Sequence, residues 1–230
     1  MKKAPTFIII GASGFGAEAA WILLRTREVP QGGVDFPIRK INWYDLRLAG
    51  FCDDDPAKAR GVFNGFSLLG NMESVARKFK DPVFYFCAVG DNEARKKLTL
   101  RANALGWTPF SILDPTAVVA PDAVLGESIF LGAHAVVSCG AQVGNHTIIN
   151  HNAVVGHNAR LGDFTHICPG AKISGYCQIG EGAFLSTNAV VIPSCNVGAW
   201  AMVGAGAVVL RDVPERARLI PTPGRTLHHE

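Results

Sequence analysis

The chain has 230 residues, of which 48% are hydrophobic and 18% charged, and its formal net charge is +3. These values predict a large apolar core, and the weak positive charge, without a run of about five like charges, gives no support to nucleic-acid binding. The six cysteines form no CxxC pair, so we expect a reducing, cytoplasmic location without a zinc knuckle, and no stretch approaches the about 20 apolar residues of a membrane span.

The first predicted elements are a strand, a glycine-rich turn and a helix. Thr6–Ile10 is an apolar run that suits a buried parallel strand, and Ala17–Arg25 has the pattern of a helix. Between them, Gly11–Gly16 could present backbone N–H groups and a helix N-terminus to a phosphate. The spacing is G-x-x-G-x-G, not the dinucleotide fingerprint, so a phosphate site and a tight structural turn both remain open. The apolar run is too short for a cleaved signal peptide.

A second strand is predicted after an irregular segment. Residues 27–47 are rich in Pro, Gly and aromatic residues and are expected to form a loop or insertion. Leu48–Cys52 follows as a strand, and Asp53-Asp54-Asp55-Pro56 closes it. Acidic residues at this place can bind a ribose, but Asp-Pro is equally common in turns, so both interpretations stay open.

The rest of the N-terminal region alternates strands and helices. The predicted segments are Phe66–Gly70, a helix over Met72–Phe79, a strand over Pro82–Val89, a helix over Glu93–Leu105 and a connection at Pro109–Leu113. The alternation predicts a small, Rossmann-like α/β domain with a parallel sheet over residues 1–112. This length is too short for a full dinucleotide fold, so we expect half a Rossmann unit that holds a mononucleotide.

From Leu113 to Val209 the sequence repeats every six residues, and each sixth residue is Val, Ile or Leu. Two positions earlier stands a small residue, most often Ala, with Cys177 and Cys195 at two of these places. A period of six fits neither a helix nor a two-sided strand and is the signature of a β-solenoid. We therefore predict a left-handed parallel β-helix over residues 113–213, with the aliphatic residues stacked inside, and a loosely packed tail over 214–230.

Five histidines occupy outward positions of this solenoid: His134, His146, His151, His157 and His166. Any one of them could be an ordinary solvated or corner histidine. Because aliphatic residues fill the interior, chemistry must come from the outer surface, where histidine can accept a proton near pH 7. Acyl transfer with a histidine base is one possibility. A zinc site that uses the H-x4-H pair His146 and His151 is another.

The chain resembles the bacterial sugar acetyltransferases of the sialic-acid and bacillosamine pathways (the NeuD/PglD-like family), within the left-handed β-helix acyltransferases. The resemblance covers nearly the whole length and rests on the hexapeptides together with Gly11–Gly16, Phe51–Asp54, Gly90–Arg95, Val155–Asn158 and Asp163–His166. It implies a homotrimer with active sites between neighbouring solenoids, acetyl-CoA as co-substrate, no metal, and a nucleotide-linked sugar held by the N-terminal domain.

The same resemblance assigns roles to single positions. His157 matches the general base, which would deprotonate the amino group of the sugar, and Asn158 stands beside it. His166 matches a histidine near the thioester, where it could bind or polarise the acetyl group. Gly175, Thr187 and Ala205 match further acetyl-CoA positions. The positions that match the nucleotide-sugar pocket are Gly11, Ser13, Gly14, Gly16, Asp53, Asp54, Gly90, Asn92 and Arg95.

Some positions depart from the family's pattern. Asn158 stands where the family often has an acidic residue, and Phe15 stands where its glycine loop commonly has histidine. Pro221–Arg225 replaces a G-x-P-A-K/R tail.

The leading prediction is an N-acetyltransferase for a nucleotide-linked 4-amino-4,6-dideoxysugar of a surface glycan, by direct attack in a ternary complex. Direct attack is favoured because no nucleophile for an acyl-enzyme stands out: Cys168 is close to His166 only in sequence. Two alternatives stay open. One is O-acetyl transfer to a sialic-acid-type sugar, and the other is a non-catalytic solenoid that binds sugar nucleotides.

Overall fold

The computed structural model describes residues 5–28 and 46–222. Most of the predicted loop over residues 27–47 therefore lies outside the described residues, as does the predicted tail beyond residue 222. No helix within these two ranges is long and apolar enough to cross a membrane.

The N-terminal part folds as a six-stranded sheet with helices on both faces. Its strands are β1 (Thr6–Ile10), β2 (Arg47–Cys52), β3 (Gly61–Phe63), β4 (Phe66–Leu68), β5 (Val83–Cys87) and β6 (Thr108–Pro109), and its helices are α1 (Gly14–Glu28), α2 (Met72–Lys78) and α3 (Asn92–Ala104). The strand order is β3-β4-β2-β1-β5-β6. β1 is buried along its whole length, as its apolar run predicts for a strand covered on both faces.

One pairing makes this sheet mixed, where a parallel sheet was expected. β3 and β4 form an antiparallel hairpin, whereas β1, β2, β4, β5 and β6 are joined by parallel pairings. The hairpin is closed by Asn64 and Gly65, whose φ angles of 46° and 78° are both positive. Asn-Gly in this conformation is the two-residue turn whose twist matches that of the flanking strands. The sequence therefore carried a signal for this hairpin.

The parallel pairings bring three loops to one edge of the sheet. β1 pairs with β2 on one side and with β5 on the other. The N–H of Gly11 donates to the carbonyl of Cys52, and the N–H of Ala88 donates to that of Ile10. The carboxyl ends of β1, β2 and β5 thus border one crevice, which is where open α/β sheets bind their ligands.

The remaining strands, two residues each, wind into a three-sided parallel β-helix with 18 residues per coil. We name the three sheets by what lies outside them. The covered face holds β7 (Ile112–Leu113), β10 (Phe130–Leu131), β13 (Ile148–Ile149), β16 (His166–Ile167), β19 (Phe184–Leu185), β22 (Met202–Val203) and β24 (Arg218–Leu219). The valine face holds β8 (Val118–Val119), β11 (Val136–Val137), β14 (Val154–Val155), β17 (Lys172–Ile173), β20 (Val190–Val191) and β23 (Val208–Val209). The polar face holds β9 (Val124–Leu125), β12 (Gln142–Val143), β15 (Arg160–Leu161), β18 (Gln178–Ile179) and β21 (Asn196–Val197).

The hexapeptide pattern fixes which side chains enter the interior. In each strand the second residue belongs to one buried stack that runs from Leu113 to Val209, and small residues such as Ala135 and Cys177 fill the space at the corners. Burial of each aliphatic side chain contributes about 1.5–3 kcal/mol. Because the stack repeats in every coil, this term grows with the number of coils.

The coils continue past Val213, where the tail is predicted to start. β24 pairs in parallel with β22, with Leu219 opposite Val203. The spacing between stacked residues is shorter here, since Asn196 bonds Asp212 over 16 residues. Leu219 nevertheless packs against the end of the buried stack, which explains why the chain stays with the solenoid. The exact domain boundaries remain a prediction.

The N-terminal domain packs on the covered face of the solenoid. Phe130 and Ile148 share one buried cluster with Phe7 and Phe86 of the sheet. Polar contacts supplement this core: the ion pairs of Arg25 with Asp114 at 3.0 Å and of Lys96 with Glu181, and a hydrogen bond from Nε2 of His151 to Glu18. The crevice of the N-terminal sheet is therefore held next to the solenoid.

Candidate active site

Two glycines that cannot carry a side chain shape the turn between β1 and α1. Gly11 has a φ of 105°, and a Cβ on Gly16 would lie 2.1 Å from the carbonyl oxygen of Gly11. Ser13 caps the helix, because its Oγ accepts from the N–H of Gly16 at 3.4 Å. Ser13 and Gly14 are exposed, and a Cβ on Gly14 would meet nothing within 4 Å. The turn thus presents an open surface at a helix N-terminus, which suits a phosphate.

The two aspartates after β2 have different partners. Asp53 accepts from the N–H of Ala12 at 2.8 Å and from Lys58 Nζ at 3.2 Å. Burial acts to raise the pKa of Asp53, but the backbone N–H groups and Lys58 outweigh it and hold the pKa below its ordinary value. Asp54 instead pairs with Arg101 of α3. Asp53 therefore anchors the glycine turn, and Asp54 belongs to a surface ion pair.

Arg95 is buried between the two domains, which argues against its predicted role in nucleotide-sugar binding. It is 1% exposed. Its guanidinium donates to backbone carbonyls at 2.7–3.4 Å, and these belong to Val89, Gly90, His146, Phe164 and Thr165. Burial lowers its pKa to about 10, so it stays charged at neutral pH. Arg95 therefore fastens the loop after β5 to the solenoid and leaves no donor for a ligand.

Asn92, the first residue of α3, also faces the solenoid. Its Nδ2 donates to the carbonyls of Gly182 at 2.9 Å and Ala183 at 3.3 Å. The residue is 7% exposed, and its Oδ1 is buried without a hydrogen-bond partner. Its amide nitrogen thus joins the domains and is not free for a nucleotide.

His166 closes the crevice from the solenoid side. Its Nδ1 lies 3.0 Å from the carbonyl oxygen of Gly90, and its ring stacks on Phe15 with centroids 6.4 Å apart. Because a carbonyl only accepts, Nδ1 carries the proton and Nε2 is an acceptor, buried without a partner. Burial, with a smaller effect of the Arg95 charge, lowers the pKa of His166 to about 4. A neutral ring with this tautomer cannot donate to a thioester oxygen, so it cannot polarise the acetyl group.

His157 lies on an exposed corner between β14 and β15. Its Nδ1 lies 3.2 Å from Nδ2 of Asn158, and in this placement the amide donates to Nδ1 while Nε2 holds the proton of the neutral ring. Rotation of the Asn158 amide by 180° would present Oδ1 to Nδ1–H and leave the lone pair on Nε2, which could then act as a base. Gly175, one coil further on, makes room for the ring, since a Cβ there would lie 2.5 Å from Nε2. The ring of Tyr176 stands edge-on to the imidazole, with centroids 5.0 Å apart and an interplanar angle of 87°.

Three of the four residues that match acetyl-CoA positions border the valine face, and the fourth, His166, lies on the covered face. Gly175 shares a corner with His157, where the valine face meets the polar face. Thr187 and Ala205 are exposed on consecutive coils of the corner where the covered face meets the valine face. The outward residues between these two edges are Val118, Val136, Val154, Lys172, Val190 and Val208.

Within one chain, His157 and the glycine turn lie on opposite sides of the solenoid. The N-terminal domain packs on the covered face, and the corner of His157 joins the other two faces. In a three-sided helix this corner is opposite the covered face, and a side of six residues spans up to about 20 Å. The structure thus brings Gly90 and His166 to the crevice of the glycine turn but leaves His157 apart.

The other solenoid histidines have structural surroundings. His151 accepts from the N–H of Ala133 at Nδ1 and bonds Glu18 at Nε2, so neither ring nitrogen is free for a metal. His146 stacks on Phe164 with centroids 4.8 Å apart, and burial lowers its pKa to about 4. Across residues 5–28 and 46–222, no group of three His, Cys, Asp or Glu side chains could hold a metal ion. The H-x4-H spacing therefore does not correspond to a zinc site.

Two family models match this chain. The PglD N-terminal domain matches residues 6–102, and the bacterial transferase hexapeptide (six repeats) matches residues 140–175 and 176–211. One curated relative, an uncharacterized protein of Acanthamoeba polyphaga mimivirus, is 27% identical over 90 residues, which are 39% of this chain and 17% of that protein's own length.

Solved structures match over nearly the whole chain. A variant of perosamine N-acetyltransferase from Caulobacter crescentus, in complex with CoA and GDP-perosamine, is 30% identical with a TM-score of 0.80 and covers 93% of this chain and 92% of its own. This chain belongs to the hexapeptide-repeat sugar acetyltransferases. The acetyltransferase domain of PglB from Neisseria gonorrhoeae, in complex with acetyl coenzyme A, is 28% identical with a TM-score of 0.77 over 93% of this chain and 94% of its own. WeeI from Acinetobacter baumannii, at 24% identity with a TM-score of 0.80 over 96% and 99%, shares the fold. The left-handed β-helix expected from the repeat is thus confirmed.

In this sugar acetyltransferase Phe15 has a packing role where the family commonly has histidine. Its ring contacts Phe86 and Phe130, with centroids 6.2 Å and 4.9 Å apart. Phe15 thus extends the buried cluster of Phe86 and Phe130 towards the glycine turn.

Arg95 lies on the buried face of its helix. The buried residues of α3 are Asn92, Arg95, Thr99 and Ala102. They recur at the three- and four-residue spacing of one helix face. Because three of these four residues are polar or charged, their spacing does not mark the face as buried, and the sequence of this acetyltransferase carried no signal for the contacts of Arg95 with the solenoid.

Proposed function

We propose that this chain is an acetyl-CoA-dependent N-acetyltransferase that acts on a nucleotide-linked 4-amino-4,6-dideoxysugar, with His157 as the general base. The acetyl-CoA and the sugar nucleotide bind together, and the acetyl group passes directly between them. The solved relatives supply the two ligands of this proposal, since one is in complex with CoA and GDP-perosamine and another with acetyl coenzyme A.

The observation that carries the proposal is the environment of His157. It is an exposed imidazole with Asn158 at Nδ1 and with Nε2 directed over Gly175, which has no side chain to obstruct it. An imidazole held at one nitrogen and open at the other can take a proton from an incoming nucleophile. With its amide rotated so that Oδ1 accepts from Nδ1–H, Asn158 would hold the tautomer that leaves the lone pair on Nε2, although it lacks the charge that would stabilise an imidazolium.

In the proposed reaction the acetyl group passes directly from CoA to the sugar, without a covalent enzyme intermediate. The amino nitrogen of the sugar attacks the thioester carbonyl carbon and a C–N bond forms, while Nε2 of His157 accepts the N–H proton. The tetrahedral intermediate then collapses, the C–S bond breaks, and the sulfur of CoA leaves with the proton that His157 returns. Cys168 is not a competing nucleophile, because burial raises the pKa of its thiol and its neighbour His166 is a buried, neutral ring.

The proposed active site needs more than one copy of the chain. His157 and the glycine turn lie on opposite sides of one solenoid, so a single sugar nucleotide in the crevice cannot reach His157 of the same chain. The valine face offers a surface for a neighbouring copy, because Val118 and Val208 at its two ends are 58% and 48% exposed. We infer a homotrimer in which the crevice of one copy approaches the His157 corner of the next.

Within this proposal the nucleotide lies in the crevice of the N-terminal sheet. Ser13 and Gly14 would contact its phosphates, and Asp53 would keep the turn in place. Thr187, Ala205 and Gly175 border the face along which acetyl-CoA would extend.

The test is release of free CoA thiol from acetyl-CoA, measured against GDP-, UDP- and dTDP-linked 4-amino sugars and free sialic acid. We expect release with one nucleotide-linked amino sugar, and a loss of about 10²–10⁴-fold in kcat for His157→Ala. His134→Ala is the matched control, since His134 is another exposed corner histidine. Release with sialic acid alone would indicate O-acetyl transfer, and near-wild-type turnover by His157→Ala would remove this residue from the mechanism.

A further inference from the structure

Tyr176 is an aromatic residue at a solenoid corner where neither the backbone conformation nor the packing favours one. It is the third residue of the corner that also holds Gly175, and its φ is 59°. This left-handed conformation favours Gly and Asn, and an aromatic residue is a genuine outlier there. The residues at the equivalent corner positions one and two coils before Tyr176 and one coil after it are Asn158, Gly140 and Ser194. The corner is thus formed elsewhere by small residues.

Burial does not compensate for this unfavourable conformation. The solenoid carries two other aromatic residues in left-handed corners, Phe164 and Trp200, and both have internal partners. Phe164 is 6% exposed and stacks on His146, and Lys96 lies over the rings of both Phe164 and Trp200. Tyr176 is 61% exposed. An unfavourable backbone conformation without packing in return is typical of functional sites.

The one ring contact of Tyr176 in the part of the chain that the structure describes is with His157, edge-on at 5.0 Å. The N–H of Tyr176 also donates to the carbonyl of His157 at 3.0 Å, so the two corners are in register. Because both residues are exposed at neighbouring turns of one corner, a ligand that contacts His157 lies next to the Tyr176 ring. A phenol ring offers a flat apolar surface with a hydroxyl at its edge, which suits a sugar ring with its apolar C–H face and hydroxyl groups.

We propose that Tyr176 is a specificity residue of the acceptor site, whose ring packs against the sugar beside His157. This inference rests on the proposed function. It assigns the sugar, not the pantetheine arm of acetyl-CoA, to the Tyr176 side of the imidazole. Removal of the ring therefore weakens the acceptor and leaves the donor unaffected.

The test uses Tyr176→Asn, Tyr176→Phe and, as a matched control, Ser194→Asn. Asparagine suits the left-handed corner and occurs one coil earlier as Asn158, so Tyr176→Asn should fold with an unchanged or raised melting temperature. We expect it to raise KM for the nucleotide-linked amino sugar at least tenfold and to change KM for acetyl-CoA less than twofold. Tyr176→Phe should keep KM for the nucleotide-linked amino sugar within about threefold of the wild-type value, because phenylalanine keeps the flat apolar ring surface that contacts the sugar. Ser194→Asn should match wild type.

The outcomes separate this inference from the function on which it rests. If Tyr176→Asn raises KM for acetyl-CoA, or lowers kcat and shifts the pH profile with both KM values unchanged, the ring contacts the donor or orients His157, and the specificity role is overturned. Unchanged constants in Tyr176→Asn also overturn it. If His157→Ala loses turnover while Tyr176→Asn keeps wild-type kcat and KM values, the specificity role of Tyr176 is refuted and the proposed function stands. If His157→Ala keeps full turnover, His157 is not the base.

Discussion

The two ring nitrogens of His166 have opposite surroundings, and this difference fixes its chemistry. Nδ1 donates to the carbonyl of Gly90, and Nε2 is buried with no partner. A donor at Nε2 would need a second proton, which burial opposes by lowering the pKa to about 4. The resemblance to a family could place a histidine near the thioester, but only the neighbouring carbonyl decides which nitrogen holds the proton.

This pKa makes a prediction about stability. The unfolded chain binds a proton at His166 near pH 6.5, and the folded chain does so only near pH 4. The stabilisation is therefore complete above pH 6.5 and falls as the pH drops towards 4, by about 1.4 kcal/mol per pH unit for one group. We expect urea unfolding of His166→Asn to show a loss between pH 7 and pH 5 that is about 2 kcal/mol smaller than in wild type. His134→Asn, at an exposed histidine, is the control, and equal pH dependence in wild type and His166→Asn would contradict the assignment.

At the scale of elements, the glycine turn and α1 form a surface that is open on one side and fully packed on the other. A side chain on Gly16 would clash with the carbonyl oxygen of Gly11. The ring of Phe15 packs on Phe130, so its replacement by a smaller residue would leave a gap in this packing. Gly14 faces open space. One residue of the turn can therefore be altered without disturbing the fold, and it is the residue nearest to where a phosphate would bind.

Gly14→Leu should weaken nucleotide binding by at least about tenfold, because the new side chain occupies the ligand's place at the helix N-terminus. The melting temperature should not fall, since leucine is a better helix former than glycine. Calorimetry with GDP, UDP and dTDP measures the first effect, and the affinity for CoA is the internal control. Equal nucleotide affinity in wild type and Gly14→Leu would show that the nucleotide binds elsewhere.

At the scale of the whole molecule, the three faces of the solenoid have different outer surfaces. The covered face is buried under the N-terminal domain from Ile112 to His166. After Val124, the polar face carries Gln142, Arg160, Gln178 and Asn196 in a row. The valine face has valine at every corresponding place except Lys172, and it has no cover within residues 5–28 and 46–222. An apolar sheet face of this kind is typical of an interface with another chain. In the proposed trimer one copy supplies the crevice and the next supplies His157, so the interface is required for catalysis.

Val136→Glu should convert the proposed trimer into single chains and abolish turnover, because the interface would bury an unpaired carboxylate. Each chain should remain folded, since the outward side chain is only half-buried in one copy. Gln142→Glu, in the same coil on the polar face, adds the same charge outside the interface and should keep both mass and activity. Sedimentation velocity measures the mass. A trimeric, active Val136→Glu would place the interface elsewhere.

The sequence alone determined the elements that depend on local spacing. Thr6–Ile10 is an unbroken apolar run, and the hexapeptides from Leu113 onward repeat an aliphatic residue every six positions. Both patterns predict their structures without information about distant partners. The left-handed β-helix, the glycine turn and an exposed histidine at a corner followed from such patterns. The Asn64-Gly65 hairpin belongs to the same class, since its signal is local.

The tertiary structure decided which residues face a ligand and which face the other domain. Asn92 and Arg95 stand in the same segment as Gly90, yet their side chains bind carbonyls of the solenoid. The distance between His157 and the crevice likewise depends on which of three faces the N-terminal domain covers. Hydrogen bonds and packing between parts of the chain far apart in sequence fix both, and no spacing along the chain encodes them.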